Sequence, residues 1–161
     1  MRSVFLGIGL GLFTAFGVMA GQDANDRALI KAPSEWSSEE RDSFAGTRGF
    51  LSLCRLYYQN GYSPGVQIVP FSSADTQIVE DEIRKRGLSD LDMSILAERQ
   101  GRTYAIGQSF AGLVCELRRP VRLNKSFSVG GGHRWQAILP QQFVYFQGDG
   151  TSSGMLVTGW N

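Results

Sequence analysis

The sequence has little histidine and cysteine and almost no net charge. One histidine and two cysteines stand among 161 residues, and 16 Lys and Arg nearly balance 15 Asp and Glu. A single histidine, His133, without a neighbouring cluster of Cys, Asp or Glu does not make a metal site. The balanced charge argues against a strongly basic nucleic-acid-binding protein. The low net charge and the aromatic content argue against intrinsic disorder.

Long apolar runs are also missing, apart from one at the N-terminus. Arg2 supplies a short positive region, residues 4–19 are apolar, and Val18 and Ala20 fit the −3 and −1 positions of a cleavage site. Because this is the pattern of a secretory signal peptide, we expect residues 1–20 to be removed. Retention of the run as a short membrane anchor is the alternative. No cysteine lies near the cleavage point, so we expect a periplasmic or secreted protein without a lipoprotein anchor.

The two cysteines, Cys54 and Cys115, both follow this leader. In an oxidising compartment such a pair most simply forms a disulfide. The bond would close a loop of about sixty residues and add ~4 kcal/mol of stability in the chain-entropy model. Two buried free thiols are the alternative. A nucleophilic cysteine would need His133 as its base, and no cysteine-protease spacing surrounds either residue.

Helical periodicity runs through residues 34–117. Phe50, Leu53, Cys54 and Tyr57 are spaced i, i+3, i+4 and i+7, which predicts an amphipathic helix with one buried face. Further helices are predicted to begin at serines that can cap a helix N-terminus: near Ser37, at Ser72, at Ser89 or Asp90, and at Ser109.

From Val121 onward the apolar period changes to two. Alternating runs predict antiparallel strands near residues 121–127, 135–139, 143–146 and 155–160. On these strands Trp135, Phe143 and Tyr145 are expected to bury their rings against the helices. We therefore predict an α+β fold, with helices packed on one face of a three- or four-stranded antiparallel sheet. The predicted divisions are the leader, an N-terminal helical extension over residues 21–71, and an α+β domain over residues 72–161.

Several short segments follow one another in the second half of the chain. They are Ile83-Arg84-Lys85-Arg86-Gly87-Leu88, Ala105-Ile106-Gly107-Gln108-Ser109, Leu113-Val114-Cys115-Glu116-Leu117-Arg118-Arg119-Pro120, Val121-Arg122-Leu123-Asn124-Lys125-Ser126, Arg134-Trp135-Gln136 and Phe143-Val144-Tyr145-Phe146. In their order and spacing they resemble the SmpA/OmlA-like domain family, which has the fold of the small outer-membrane assembly lipoprotein BamE. The resemblance covers about residues 83–160. It implies two helices on a three- or four-stranded sheet, and a role in protein interaction at the cell envelope.

No arrangement of residues in the sequence points to catalysis. No glycine-rich phosphate loop follows a predicted strand, and no serine nucleophile elbow is present. The carboxylates at Asp75, Glu80, Asp81 and Glu82 are expected to be acids bunched at a capped helix start rather than a glycosidase pair. Residues 130–133 fit a hairpin turn. We therefore expect a protein that is not an enzyme, with no cofactor, no metal and no small-molecule substrate.

Two groups of residues are candidates for partner contacts. The first is a basic run at the junction of the last helix and the first long strand: Arg118, Arg119, Arg122 and Lys125. It could contact anionic lipid, lipopolysaccharide or an acidic partner, or it could simply be solvated. The second group is aromatic: Trp36, Tyr57, Tyr58 and Trp160.

The sequence as a whole indicates an exported bacterial protein-interaction module of the cell envelope, acting as a scaffold or accessory subunit. An envelope protein is the expected partner, and nucleic acid is not expected. The alternative is a binding inhibitor or immunity-like protein that acts on an envelope or secreted enzyme.

Overall fold

The computed structural model of the chain describes residues 24–65, 67–98, 104–127 and 133–161. The predicted leader and most of the predicted turn at residues 130–133 lie outside the described residues. Within these ranges helices come first and a four-stranded antiparallel sheet follows, which confirms the predicted α+β fold.

The helices lie in the first three quarters of the chain. Residues 24–28 are helical, and two short 3-10 turns cover Pro33–Glu35 and Ser43–Ala45. The α-helices are α1 (Ser38–Asp42), α2 (Thr47–Gln59), α3 (Ser73–Lys85), α4 (Asp90–Ala97) and α5 (Phe110–Leu117).

Serine caps begin four of these helices, as the sequence predicts. The side chains of Ser37, Ser72, Ser89 and Ser109 each accept a hydrogen bond from the backbone N–H three residues later. Such a bond satisfies one of the N–H groups that a helix N-terminus leaves without an intrahelical partner.

The strands form two antiparallel sheets. A small one joins β1 (Gly61–Tyr62) to β2 (Val69–Pro70). The larger one is a meander in the order β3-β4-β5-β6, made of β3 (Arg122–Phe127), β4 (His133–Leu139), β5 (Gln142–Gly148) and β6 (Met155–Trp160). β3 is one edge of this sheet. At the other edge, residues 107–109 hydrogen-bond to β6.

Helix α5 lies between two hydrophobic cores. Ala111 and Cys115 belong to a helical core, whereas Leu113 belongs to a core on one face of the large sheet. A disulfide between Cys54 and Cys115 ties α2 to α5, as predicted. The helical core draws on residues from both sides of position 71, so the helical extension packs together with the helices that follow it.

The strands of the large sheet turn alternate side chains to its two faces. The inner face packs against α5 and carries Ala137, Val144, Phe146 and Val157, all buried. The prediction that Phe143 and Tyr145 are buried against the helices is wrong. Because Val144 and Phe146 point inward, the pleat directs their neighbours outward, where Phe143 is exposed and Tyr145 half-buried.

Candidate functional site

The second face of the large sheet, called here the outer face, is not covered by any helix of the described residues. It consists of Arg122, Asn124 and Ser126 on β3, Arg134, Gln136 and Ile138 on β4, Phe143, Tyr145 and Gln147 on β5, and Leu156 on β6. The described helices pack on the opposite side of this sheet, or against each other.

The strand register sets these side chains in cross-strand rows. Arg122, Ile138 and Phe143 form one row, and Asn124, Gln136 and Tyr145 form the next. The third row holds Ser126, Arg134, Gln147 and Leu156. Since neighbouring strands lie about 4.8 Å apart, side chains of one row are in reach of each other.

An apolar patch on the outer face, called here the apolar centre, is formed by Ile138, Phe143 and Tyr145, which are neighbours on β4 and β5, while Leu156 stands apart from them beside Gln147. Phe143 is 40% exposed and Leu156 is 42% exposed, while Ile138 and Tyr145 are half-buried by their neighbours. The Tyr145 hydroxyl donates a hydrogen bond of 3.2 Å to Asn161 Oδ1, which leaves the ring on the open face. An exposed apolar patch beside polar and positively charged side chains is typical of a protein-binding surface.

The margin of the outer face is polar, and its charged groups are all positive. Arg122 stands beside Ile138, and Arg134 stands beside Gln147 in the β4–β5 register. No Asp, Glu or Lys occupies an outer-face position on the four strands. Arg122 and Arg134 form no ion pair with a carboxylate of the described residues.

The near-zero net charge of the chain conceals an uneven distribution. Residues 24–98 hold twelve Asp and Glu against eight Lys and Arg. Residues 104–161 hold two acids against five bases, namely Glu116 and Asp149 against Arg118, Arg119, Arg122, Lys125 and Arg134. The helical part is therefore acidic and the part that carries the sheet is basic.

Cations of the helical part are paired with carboxylates. Buried Glu82 accepts from Lys85 Nζ and from Arg86 Nη1, both at 2.7 Å. Burial raises the pKa of Glu82, but these two hydrogen bonds and the nearby positive charges outweigh it and hold the pKa below its usual range. Similar pairs join Lys31 to Glu40 and Arg48 to Asp26.

The predicted basic run does not form a single surface. Arg118 lies in the left-handed region and places its guanidinium carbon 4.6 Å from the ring centroid of Tyr58. Arg119 is exposed at the same junction, and Arg122 belongs to the outer face. Lys125 lies above the Trp135 ring at 5.5 Å, on the opposite side of the sheet from Arg122.

The predicted aromatic contacts are also dispersed, and two of them are buried. Trp36 packs on Phe44 with ring centroids 4.9 Å apart and donates from Nε1 to the carbonyl of Ala28 at 2.9 Å. Tyr57 is buried in the helical core. A partner therefore cannot reach Trp36 or Tyr57 on the surface. Trp160 is 47% exposed at the end of β6 and lies against Tyr104.

A cleft of about 270 Å³ lies where the helical part meets the start of β3. Its walls are mainly apolar, with Phe50, Phe110, Val114 and Val121 among them. Arg86 also borders the cleft, but its guanidinium is occupied by the backbone carbonyls of Phe44, Arg41 and Glu82 and by the Glu82 carboxylate. The described lining thus offers no free charged group with which to orient a small ligand.

Buried carboxylates elsewhere in the described residues serve the fold. Asp92 accepts hydrogen bonds from Ser89 and Ser109 at two helix N-termini. Glu116 accepts a hydrogen bond from Gln108 Nε2 at 3.1 Å. Within the described ranges, no three His, Cys, Asp or Glu side chains converge as ligands of a metal ion would.

Comparison with models of known families, with curated proteins and with solved structures finds no match for this chain. The resemblance to the SmpA/OmlA-like family therefore stays a prediction. Among the described residues, no helix combines the length and the hydrophobicity that crossing a bilayer requires.

Ile138, Phe143 and Tyr145 were not among the predicted partner contacts, although the sequence contains a pattern that indicates their exposure. Phe143, Tyr145 and Gln147 are alternate residues, so their side chains point to one face of the strand. Val144 and Phe146 point to the other face. A polar residue at one end of an alternating run indicates which set of alternate side chains faces water. Ile138 follows from the same rule, since Arg134 and Gln136 share its parity on β4.

Proposed function

We propose that this protein is an exported, non-enzymatic protein-binding module of the bacterial cell envelope, and that the outer face is its docking surface. The observation that carries the proposal is the apolar centre of that face, formed by Ile138, Phe143 and Tyr145. These side chains are neighbours on β4 and β5, beside a register shift between β5 and β6 at Tyr145 and Phe146, and no described helix covers them.

The composition of the outer face supports binding to protein. Aromatic residues and arginine are enriched in protein interfaces, whereas Lys, Glu and Asp are depleted. The outer face holds Phe143, Tyr145, Arg122 and Arg134, and it has none of the depleted charged types. Because its strands are held in register by hydrogen bonds, the face would lose little conformational entropy on binding.

The envelope location is supported by two features that are independent of the outer face. The N-terminal run has the composition of a secretory leader. The disulfide between Cys54 and Cys115 requires an oxidising compartment to persist. Helices on one side of a four-stranded sheet also agree with the shape that the SmpA/OmlA resemblance implies.

A binding inhibitor of an envelope or secreted enzyme is the second candidate. It is favoured by Phe143 and Tyr145, which present two rings on one strand of an open sheet. Protruding aromatic anchors of this kind fill pockets on a partner. The two candidates differ in what binding does, because a scaffold leaves its partner active whereas an inhibitor lowers its turnover.

A cross-linked pull-down from envelope fractions tests the proposal. The variant Phe143→Ser/Tyr145→Ser removes the rings from the outer face and leaves the inner face intact. The matched control is Ile30→Ser/Ile68→Ser, which removes two exposed apolar side chains of the helical part. We expect the control to retain the proteins that the wild type retains, and the outer-face variant to lose them.

Equal recovery with all three proteins would contradict the proposal. Circular dichroism of each variant shows that a loss of recovery does not reflect unfolding. Activity measured on a recovered enzyme, with and without the wild-type protein, separates the inhibitor from the scaffold.

A further inference from the structure

The charges on the outer face restrict what can dock there. This step rests on the proposed docking surface and adds the chemistry of its partner. Arg122 and Arg134 lie on neighbouring strands at opposite ends of the apolar centre. Both are exposed, and no carboxylate occupies a position on that face.

The two acidic residues within residues 104–161, Glu116 and Asp149, do not pair with these arginines. Glu116 is buried on α5, on the other side of the sheet. Asp149 accepts hydrogen bonds from Thr151 Oγ1 at 2.7 Å and from Thr151 N at 2.8 Å in the β5–β6 turn. The positive charge of the outer face is therefore available to a second molecule.

We infer that the outer face binds a partner protein whose own contact surface is acidic around an apolar centre. Arginine suits this task because its planar guanidinium pairs with a carboxylate through two hydrogen bonds and sheds water readily. Four strands of about six residues span roughly 19 by 20 Å, about half the area that each partner buries in a standard interface. A contact of that size is transient and depends on charge for its specificity.

A second copy of the chain does not satisfy this requirement. Two outer faces placed together would bring four arginines into one interface, with no side-chain carboxylate from either face to pair with them. The free edge of the sheet, β3, carries Arg122 and Lys125. Positive charge on an edge strand discourages edge-to-edge pairing of two copies.

An anionic membrane fits the outer face less well than an acidic protein. Clusters of four to eight Lys or Arg are typical of segments that bind anionic lipid, and each contributes about 1 kcal/mol. The outer face offers two arginines.

The experiment is an NMR titration of the full mature chain with two synthetic peptides. One peptide alternates Glu and Leu, and the other alternates Lys and Leu at the same length. We expect the acidic peptide to shift outer-face resonances and the basic peptide to leave them unchanged. We also expect Arg122→Glu/Arg134→Glu to weaken acidic-peptide binding by about tenfold or more, and added salt to weaken it in the wild type.

The matched control is Arg48→Glu/Arg55→Glu, which makes the same change in net charge at two exposed positions on α2, in the helical part. It should retain peptide affinity within about threefold, since distant exposed charges are screened by salt. Equal binding of both peptides, or an unchanged affinity in Arg122→Glu/Arg134→Glu, overturns the inference. Vesicles containing phosphatidylglycerol supply the lipid test, and vesicle binding without acidic-peptide binding also overturns it.

Failure of this inference is distinguishable from failure of the proposed function. If Phe143→Ser/Tyr145→Ser loses its envelope partners while Arg122→Glu/Arg134→Glu keeps them, the result supports the docking surface. It contradicts the inference that the partner has an acidic contact surface. If neither variant loses a partner, the outer face is not the docking surface.

Discussion

Asp92 and Ser109 join the N-termini of two helices through one buried carboxylate. Asp92 Oδ1 accepts from the backbone N–H of Ser109 at 2.8 Å, and Oδ2 accepts from the Ser109 hydroxyl at 2.9 Å. Oδ2 also accepts from the backbone and hydroxyl of Ser89, both at 2.8 Å. The position of α5 relative to α4, and with it the position of the sheet, therefore depends on this carboxylate.

We predict a strong coupling between Asp92 and Gly112. A Cβ at position 112 would overlap Asp92 Oδ1, so Gly112→Ala should lower the free energy of unfolding by about 2 kcal/mol. Asp92→Ala should cost about 3 kcal/mol, because it leaves buried N–H donors unpaired. Urea denaturation of both single variants measures these losses.

The double variant Asp92→Ala/Gly112→Ala is the control for this coupling. Without the carboxylate the added methyl group has space, and alanine is favoured over glycine in a helix by about 1 kcal/mol. The double variant should thus be at least as stable as Asp92→Ala alone. Additive losses in the double variant would contradict the proposed contact.

Removal of the disulfide should destabilise the protein without changing its secondary structure. The bond joins residues 61 positions apart, and the chain-entropy model gives such a loop about 4 kcal/mol. We expect Cys54→Ala/Cys115→Ala to lower the free energy of unfolding by about that amount. Residual structure in the unfolded chain would make the decrease smaller. The measurement is urea denaturation against wild type.

The disulfide should be directly observable in protein taken from cells. Mass spectrometry of periplasmic protein, alkylated under denaturing conditions without reductant, should find no alkylated cysteine and no residues 1–20. Two alkylated cysteines in that sample would mean that the bond does not form in the cell.

The carboxylate of Glu40 should make the free energy of unfolding depend on pH in the acidic range. The hydrogen bond from Lys31 Nζ at 2.6 Å is the main cause that lowers the pKa of Glu40 from its ordinary value of 4.5, followed by the bond from the backbone N–H of Ser37. A lowered folded-state pKa adds stability above about pH 4.5, and this stability is lost as the pH falls through the folded-state value. Glu40→Gln should cost about 1 kcal/mol at pH 7 and make the loss of stability on acidification below about pH 4.5 smaller.

The neighbouring residue provides a matched control for this titration. Glu39 is exposed and pairs only with Arg27, so Glu39→Gln should leave stability at pH 7 nearly unchanged. A wild-type acid dependence in Glu40→Gln would show that this carboxylate is not the source.

Arg118 is predicted to carry backbone strain at the end of α5. Its φ of 53° lies in the left-handed region, which costs a non-glycine residue about 1 kcal/mol. Arg118→Gly and Arg118→Ala both remove the guanidinium from Tyr58, but only glycine relieves the strain. The glycine variant should be more stable than the alanine variant by about 1 kcal/mol in urea denaturation. Equal stabilities would argue against the left-handed backbone.

Local features of the fold follow from the sequence because their interactions are local. Ser37, Ser72, Ser89 and Ser109 cap helices through bonds that span three residues, and each is recognisable from the sequence alone. The four long strands likewise follow from the change of period after Val121. The pairing of the two cysteines follows from the oxidising compartment that the leader implies.

The residues of the outer face were harder to predict from the sequence, because they depend on how the strands pair. Phe143 and Tyr145 alternate with Val144 and Phe146, so the run is apolar at both parities. Pairing of Val144 with the buried Ala137 decides which parity faces inward. Burial of Trp36 depends in the same way on a distant contact, its packing against Phe44.

Site-specific photo-crosslinking at position 143 is the most direct test of the proposed docking surface. A benzophenone side chain replaces Phe143 in the exported protein in one strain, and Ile68, exposed in the helical part, in a control strain. The account predicts a covalent adduct with a different envelope protein from position 143 and none from position 68. No adduct from position 143, or the same adduct from both positions, would contradict it.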